Sequence, residues 1–321
     1  ANGLGADQNT GNDTLTFNLC TSLTGSYTVG GSLADFADIS AAVAALRNCG
    51  VAGPTTFLIN DGTYYGSYNL TGIVGAGGTN SINFVSASSI PGGVVLIQDT
   101  VTPVSGARHH FVVNGIQNVS FNGLTFRRTL DGTALSAVVL FENAADFGTI
   151  TNCVFDDQTG GGYFNNYGIR INNSNYTTII GNVFTNFYYS IYVNGPTTNS
   201  TYAEGINVTA NQFTGYRYAV YYLNTRNPII SGNQFNGLNS SSTFGYGVDI
   251  SRGSAVTISD NNISGKLGSG GIYLFNMNPD SLGGENRVYN NVIAGVADAS
   301  TTLINYAIYF GGSFSATATN P

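Results

Sequence analysis

The chain has 321 residues, enough for one large core or a single solenoid. Charged residues make up only 8%, against about 25% in ordinary soluble domains, and the net charge is −7 with a pI near 4.5. That balance makes nucleic acid and anionic membrane poor partners, no apolar run is long enough for a membrane span, and 42% hydrophobic with 12% aromatic content argues against disorder.

Residues 1–26 read as a polar lead-in with one strand-like piece, Thr14 to Leu19. Its Ala1-Asn2-Gly3 start looks like the residue of a removed signal, which points to secretion or the cell surface. Residues 33–48 hold the one persuasive helix, capped by Ser32, with Leu33, Phe36, Ile39, Val43, Ala44 and Leu46 as its apolar face and Gly50 as its stop. A lone amphipathic helix ahead of stacked repeats is expected to cover the open end of their core. Strands follow at Thr55–Ile59, Ile82–Val85, Gly93–Ile97 and Phe111–Val113. The repeats continue to 312, and 313–321 is a low-complexity tail that offers no cap. The expectation there is that the chain continues or that a partner covers that end.

From about Val119 a phrase recurs: Asn-x-Phe/Ile, a polar bridge, then Tyr-small-Ile/Val. The first anchors are Phe126, Phe155, Phe184, Phe213, Phe235, Ile263 and Ile293, spaced by 29, 29, 29, 22, 28 and 30 residues. The second anchors are Ile169, Ile191, Val220, Val248, Ile272 and Ile308. Gly and Asn interrupt every stretch long enough for a helix, so each unit is a strand-rich coil that must stack on its neighbours. The predicted fold is all-β: a single-stranded right-handed parallel β-helix of roughly ten coils, spanning 27–312, with an N-terminal amphipathic capping helix.

Stacking gives the recurrent residues columns. Asn182, Asn211, Asn233, Asn261 and Asn291 fall two positions before an anchor and read as an internal amide ladder, with polar ligand binding as the other reading. The position after the second anchor holds Arg170, Tyr192, Tyr221, Asp249, Tyr273 and Tyr309, and alternation points it outward. Two positions before that anchor stand Tyr167, Tyr189, Tyr218, Tyr246 and Tyr306, with Gly270 the exception; alternation turns these inward or to a corner. Tyr192, Tyr221, Tyr273 and Tyr309 are therefore the candidate surface for a sugar or another protein, beside the plainer reading that Tyr merely suits a strand.

Three cysteines are present, Cys20, Cys49 and Cys153. Cys20 and Cys49 flank the helix and can form a disulfide, although connectivity is not readable from sequence; Cys153 reads as a buried small hydrophobe. CxxC is absent and there are two histidines, so neither a zinc site nor any other cofactor is expected.

The N-terminal phrases carry a resemblance. Gly25-Ser26-Tyr27-Thr28-Val29-Gly30-Gly31, Asp35-Phe36-Ala37-Asp38-Ile39, Gly50-Val51-Ala52-Gly53-Pro54-Thr55-Thr56-Phe57 and Asp61-Gly62-Thr63-Tyr64 resemble the opening of secreted right-handed parallel β-helix proteins of Bacteroidota, often exported by the type IX system. The resemblance implies the fold and secretion and says little about activity. Thr14, Thr100 and Ser281, in Asp-Thr-Leu, Asp-Thr-Val and Asp-Ser-Leu, likewise resemble the sites at which such bacteria O-glycosylate exported proteins.

β-Helix lyases and hydrolases need convergent carboxylates with a base. Asp156-Asp157 is the one adjacent acidic pair, and Arg170 follows a coil later; they are the alternative, catalytic site for a polysaccharide lyase or glycoside hydrolase. The plainer reading makes the acidic pair a solvated turn and His109-His110 a loop pair. The expected function is a non-catalytic extracellular protein, an adhesin or structural subunit able to form filaments. Its expected partners are copies of itself, other surface proteins or polysaccharide.

Overall fold

The structure is a computed structural model that describes residues 20–90, 92–97, 109–129, 136–159, 166–196, 202–238, 245–277, 284–297 and 306–312. The strand expected at Thr14–Leu19, the modification candidates Thr14, Thr100 and Ser281, and the tail from 313 lie outside the described residues.

Each coil contributes three short strands to three parallel sheets. One coil runs through Thr149–Thr151, Val154–Asp157 and Asn166–Asn172, and the next through Thr178–Ile180, Val183–Thr185 and Tyr189–Asn194. Among the described residues the strands pair in parallel with the equivalent strands of neighbouring coils, giving sheets of ten, nine and ten strands. The chain is thus a parallel β-helix, as expected.

The anchor columns pair residue for residue. Phe126, Phe155, Phe184, Phe213, Phe235, Ile263 and Ile293 are consecutive Cα partners along one sheet. Their rings stack within the core, with centroids 5.0, 4.6, 5.0 and 4.9 Å apart from Phe126 to Phe235. Ile169, Ile191, Val220, Val248, Ile272 and Ile308 form the second column. The spacing of 22 between Phe213 and Phe235 shortens a loop without breaking register.

The turn between the first two strands of a coil is made by one left-handed residue, such as Asn152 (φ 52) or Gly181 (φ 68), followed by the ladder position. Gly and Asn recur here because they tolerate that conformation. The asparagines behind them form the expected internal ladder. The Nδ2 groups of Asn182, Asn211, Asn233 and Asn261 donate to the Oδ1 of the next member at 2.9, 3.1, 2.9 and 2.9 Å. Each of those Nδ2 groups also donates to a core-strand carbonyl. Cys153 is buried in the same column, its backbone N–H donating to Asn182 Oδ1.

Two N-terminal details differ from expectation. The helix runs from Ile39 to Cys49, not from 33, because Asp38 rather than Ser32 caps it: the Asp38 side chain accepts from the Ala41 N–H. Leu33 therefore stands 97% exposed, and Ala42 replaces Ala44 on the buried face with Ile39, Val43 and Leu46. That face belongs to the same core as the coils and lies against Leu23–Val29, Val51–Ile59 and Tyr68–Thr71, so the helix covers the end of the stack. The second difference is Leu23–Val29 itself, which starts within the expected lead-in and pairs in parallel with Val51–Ile59 as the first strand of its sheet. Cys20 and Cys49 are joined in a disulfide with Cα atoms 5.4 Å apart.

Candidate functional site

The tyrosine columns meet on one outer face, the sheet that carries Asn166–Asn172, Tyr189–Asn194, Tyr218–Arg226, Tyr246–Ser254, Gly270–Phe275 and Tyr306–Gly311. Tyr167, Tyr189, Tyr218, Tyr246, Gly270 and Tyr306 are consecutive partners, and so are Arg170, Tyr192, Tyr221, Asp249, Tyr273 and Tyr309. The first column was expected inward or at a corner, and it is not part of the solenoid core. Its buried members pack in two clusters separate from the solenoid core, together with Tyr189, Tyr192, Tyr221 and Tyr273 of the same face.

The reason is the small residue between tyrosine and anchor. Gly168, Ser190, Ala219, Gly247 and Gly271 are skipped in the ladder register, and they face inward as the next residue does. A Cβ on Gly168 would lie 3.2 Å from Cδ1 of the core residue Phe184, and one on Gly247 3.2 Å from Cγ2 of Ile263. Two successive inward positions break the period of two, as at a bulge, and turn the preceding tyrosine outward.

The two columns interlock. Tyr167 and Tyr189 are parallel to within 9° at 5.1 Å, and Tyr189 and Tyr218 to within 16° at 5.0 Å. Tyr192 and Tyr221 lie 5.4 Å apart and Tyr273 and Tyr309 4.8 Å apart, again nearly parallel. Between columns the rings meet edge to face, at 68° for Tyr167–Tyr192 and 78° for Tyr218–Tyr221. The face therefore offers ring faces, ring edges and phenol hydroxyls together. Burial raises the Tyr221 and Tyr246 hydroxyls to about 12 and pushes Tyr189 and Tyr218 up as well, so all remain neutral hydrogen-bond donors.

Charge enters the strip at a few points. Arg170 lies over the rings of Tyr167 and Tyr192 at 5.0 and 5.3 Å and donates from Nε to Asn172 Oδ1. Its Nη1 is buried without a hydrogen-bond partner. Arg217 lies over Tyr188 at 4.8 Å. Asp249 interrupts the outer tyrosines between Tyr221 and Tyr273, is only 5% exposed, and its Oδ1 has no hydrogen-bond partner. Burial raises its carboxyl to about 8. Sequence reading placed Asp249 in the column but gave it no role; an acid inside a run of tyrosines was the available signal.

The alternative catalytic residues have other surroundings. Asp156 and Asp157 lie on the strand Val154–Asp157, in a different sheet from Arg170. Asp156 Oδ2 is 3.2 Å from Arg127 Nε and accepts from Gln158. Asp157 is buried beside its register partner Arg128, and its Oδ1 accepts from the Thr159 N–H. Arg170 makes no ion pair with either. The histidines are more than a loop pair. His110 is fully buried, its Nε2 is 3.2 Å from the carbonyls of both Leu96 and Arg127, and burial lowers it to about 4. His109 Nδ1 is 2.9 Å from the Ala137 carbonyl. Among the described residues no three His, Cys, Asp or Glu side chains gather as a metal site, and no helix is long and apolar enough to cross a membrane.

A rhamnogalacturonan lyase structure is similar at 13% identity over 90% of this chain and 86% of that one, with a TM-score of 0.48. A Geobacillus virus E2 protein, ORF18, is similar at 17% identity and a TM-score of 0.47 over 82% of this chain, which spans 55% of that protein's length. The Streptococcus pneumoniae surface protein and adhesin PfbA is similar at 10% identity over 85% of this chain and 93% of that one, with a TM-score of 0.26. No curated protein sequence matches the chain. The profile described as a right handed beta helix region matches residues 109–319, well over half of the chain, and by that match the protein belongs to the right-handed beta helix family.

Proposed function

We propose that this protein is a non-catalytic extracellular binding protein, of adhesin or surface-scaffold type, whose tyrosine face holds a carbohydrate chain. The observation that carries this reading is the double tyrosine column, continuous from Tyr167 to Tyr309 except at Arg170, Asp249 and Gly270. A polymer laid along the axis meets a new ring and a new hydroxyl at every coil. Asn172 and Asn194, partners in the same sheet, add amides at its margin. The catalytic alternative gains no comparable support, because Asp156 and Arg170 sit on different sheets with separate partners.

The test is binding of the purified chain to immobilised polysaccharides of neutral, acidic and amino-sugar type. The Tyr192→Ala/Tyr221→Ala double variant should bind at least about tenfold more weakly, since each aromatic contact contributes roughly 1 kcal/mol. Unchanged binding in that variant would refute the reading. So would a tyrosine-dependent dimer or filament, seen by light scattering and electron microscopy, that leaves no glycan binding.

A further inference from the structure

We propose that Asp249 and the tyrosines around it form a subsite for an ammonium group, the amine of an amino sugar in the bound chain. This deepens the carbohydrate reading and rests on it. Asp249 occupies a position where neighbouring coils carry Tyr221 and Tyr273, so an aromatic ring stands on either side of its carboxyl along the axis. Tyr246 belongs to its own strand, and its ring leans towards Gly270, where Cδ1 would lie 3.4 Å from an added Cβ. Tyr246 and Tyr273 are thereby brought to a centroid distance of 4.8 Å. Glycine in the column is what lets these rings close in around the acid.

Two independent features point to a cation. Asp249 is only 5% exposed, yet its Oδ1 accepts no hydrogen bond from any residue. An unpaired buried carboxylate is costly, and a ligand that brings a positive charge with N–H donors relieves that cost where a hydroxyl brings only a neutral donor. Second, the surrounding surface is aromatic, and ring faces attract ammonium groups, more strongly when water is excluded. A carboxylate framed by tyrosines supplies both the counter-charge and the rings.

The titratable groups facing Asp249 are Tyr218 and Tyr221 from the preceding strand, Tyr246 from its own, and Tyr273 from the following one. All four are neutral near pH 7, each raised first by burial and further by the acid itself. Burial raises the free carboxyl to about 8, so near neutral pH it is mostly protonated, and binding of an ammonium ionises it with release of a proton to solvent. Affinity for the amine should rise with pH until the ligand amine loses its own proton.

The experiment is calorimetric titration of the full chain with glucosamine oligomers and with N-acetylglucosamine oligomers of equal length. It compares the natural sequence, Asp249→Asn, Asp249→Ser and Tyr221→Ala, each checked for a single cooperative melting transition well above the temperature of the titration. The natural protein should prefer the free amine by about tenfold or more, and both Asp249 variants should lose that preference while keeping the weaker binding of the acetylated oligomer. A preference that survives in Asp249→Asn or Asp249→Ser overturns the proposal. Equal affinity of the two oligomers for the natural protein also overturns it, while Tyr221-dependent binding of both leaves the carbohydrate reading standing. Binding of neither oligomer, and of no neutral or acidic glycan, overturns both.

Discussion

Asn182 and Asn211 are joined twice through one oxygen: Asn211 Oδ1 accepts both the backbone N–H and the side-chain Nδ2 of Asn182, each at 2.9 Å. The same double contact links Asn211 to Asn233, Asn233 to Asn261 and Asn261 to Asn291. An uncharged side chain thus satisfies a buried turn that charge would otherwise have to serve, which suits a chain with so few ionisable groups.

Asn211→Ala leaves the Asn182 N–H without its acceptor and the Ile179 carbonyl without its side-chain donor, in a fully buried setting. It should destabilise the protein by about 3 kcal/mol. Asn291 ends the described ladder and is only partly buried, so Asn291→Ala should cost about 1 kcal/mol, with water taking over part of the bonding. Denaturant midpoints of the two variants check this; equal losses would mean that the ladder works as one unit rather than link by link.

Much of this architecture was legible because stacked columns make equivalent residues recur. Phe184 could be placed opposite Phe155 and Phe213 from spacing alone, and Asn182 beside Asn211 for the same reason. Tyr189 could be placed only as inward or at a corner, because alternation holds only while the backbone keeps its period, and Ser190 breaks it. The recurring small residue before each anchor was the visible trace of that break. The helix start was misjudged because Ser32 and Asp38 are both good caps, and the choice depends on Phe36 packing against Tyr27 and Phe57 instead of extending the helix. Asp249 and His110 could not be ranked from sequence, because their burial comes from neighbouring coils far along the chain.

Gly168 tests the break in alternation. A Cβ there would lie 2.6 Å from the Ser190 carbonyl oxygen and against the Phe184 ring. Gly168→Val should therefore cost about 2–3 kcal/mol by overpacking and reduce glycan binding through displacement of Tyr167. Ser190→Ala, which keeps a small inward side chain, should be close to neutral. A tolerated valine, judged by thermal melting, would place position 168 outside the core.

The Cys20–Cys49 bond closes a separation of 29 residues that holds the first strand and the capping helix. Chain-entropy arguments give such a loop about 3–4 kcal/mol of stabilisation. Cys20→Ser/Cys49→Ser should lower stability by up to that amount. Amide exchange should rise first in Leu23–Val29 and the helix, while the Phe155–Phe235 stack stays protected. Uniform loss of protection along the coils would show instead that the cap and the stack unfold together.

Two buried groups give stability opposite pH slopes. The Asp249 carboxyl titrates near 8 when folded but near its ordinary 3.8 when unfolded, so between those values the native state holds the extra proton and stability falls as pH rises. The full effect is roughly 6 kcal/mol, reached by about pH 8. His110 works the other way: buried neutral, it titrates near 4 instead of 6.5, so in that window the unfolded state holds the extra proton and stability rises with pH. Its effect is about 3 kcal/mol. The two largely cancel between pH 4 and 6.5, and Asp249 acts alone from 6.5 to 8. The natural protein should therefore show a plateau followed by a decline. Asp249→Asn should abolish the decline and uncover a rise across the acid window. Chemical denaturation at a series of pH values reads this directly, and a decline above pH 6.5 that persists in Asp249→Asn would assign it to another group.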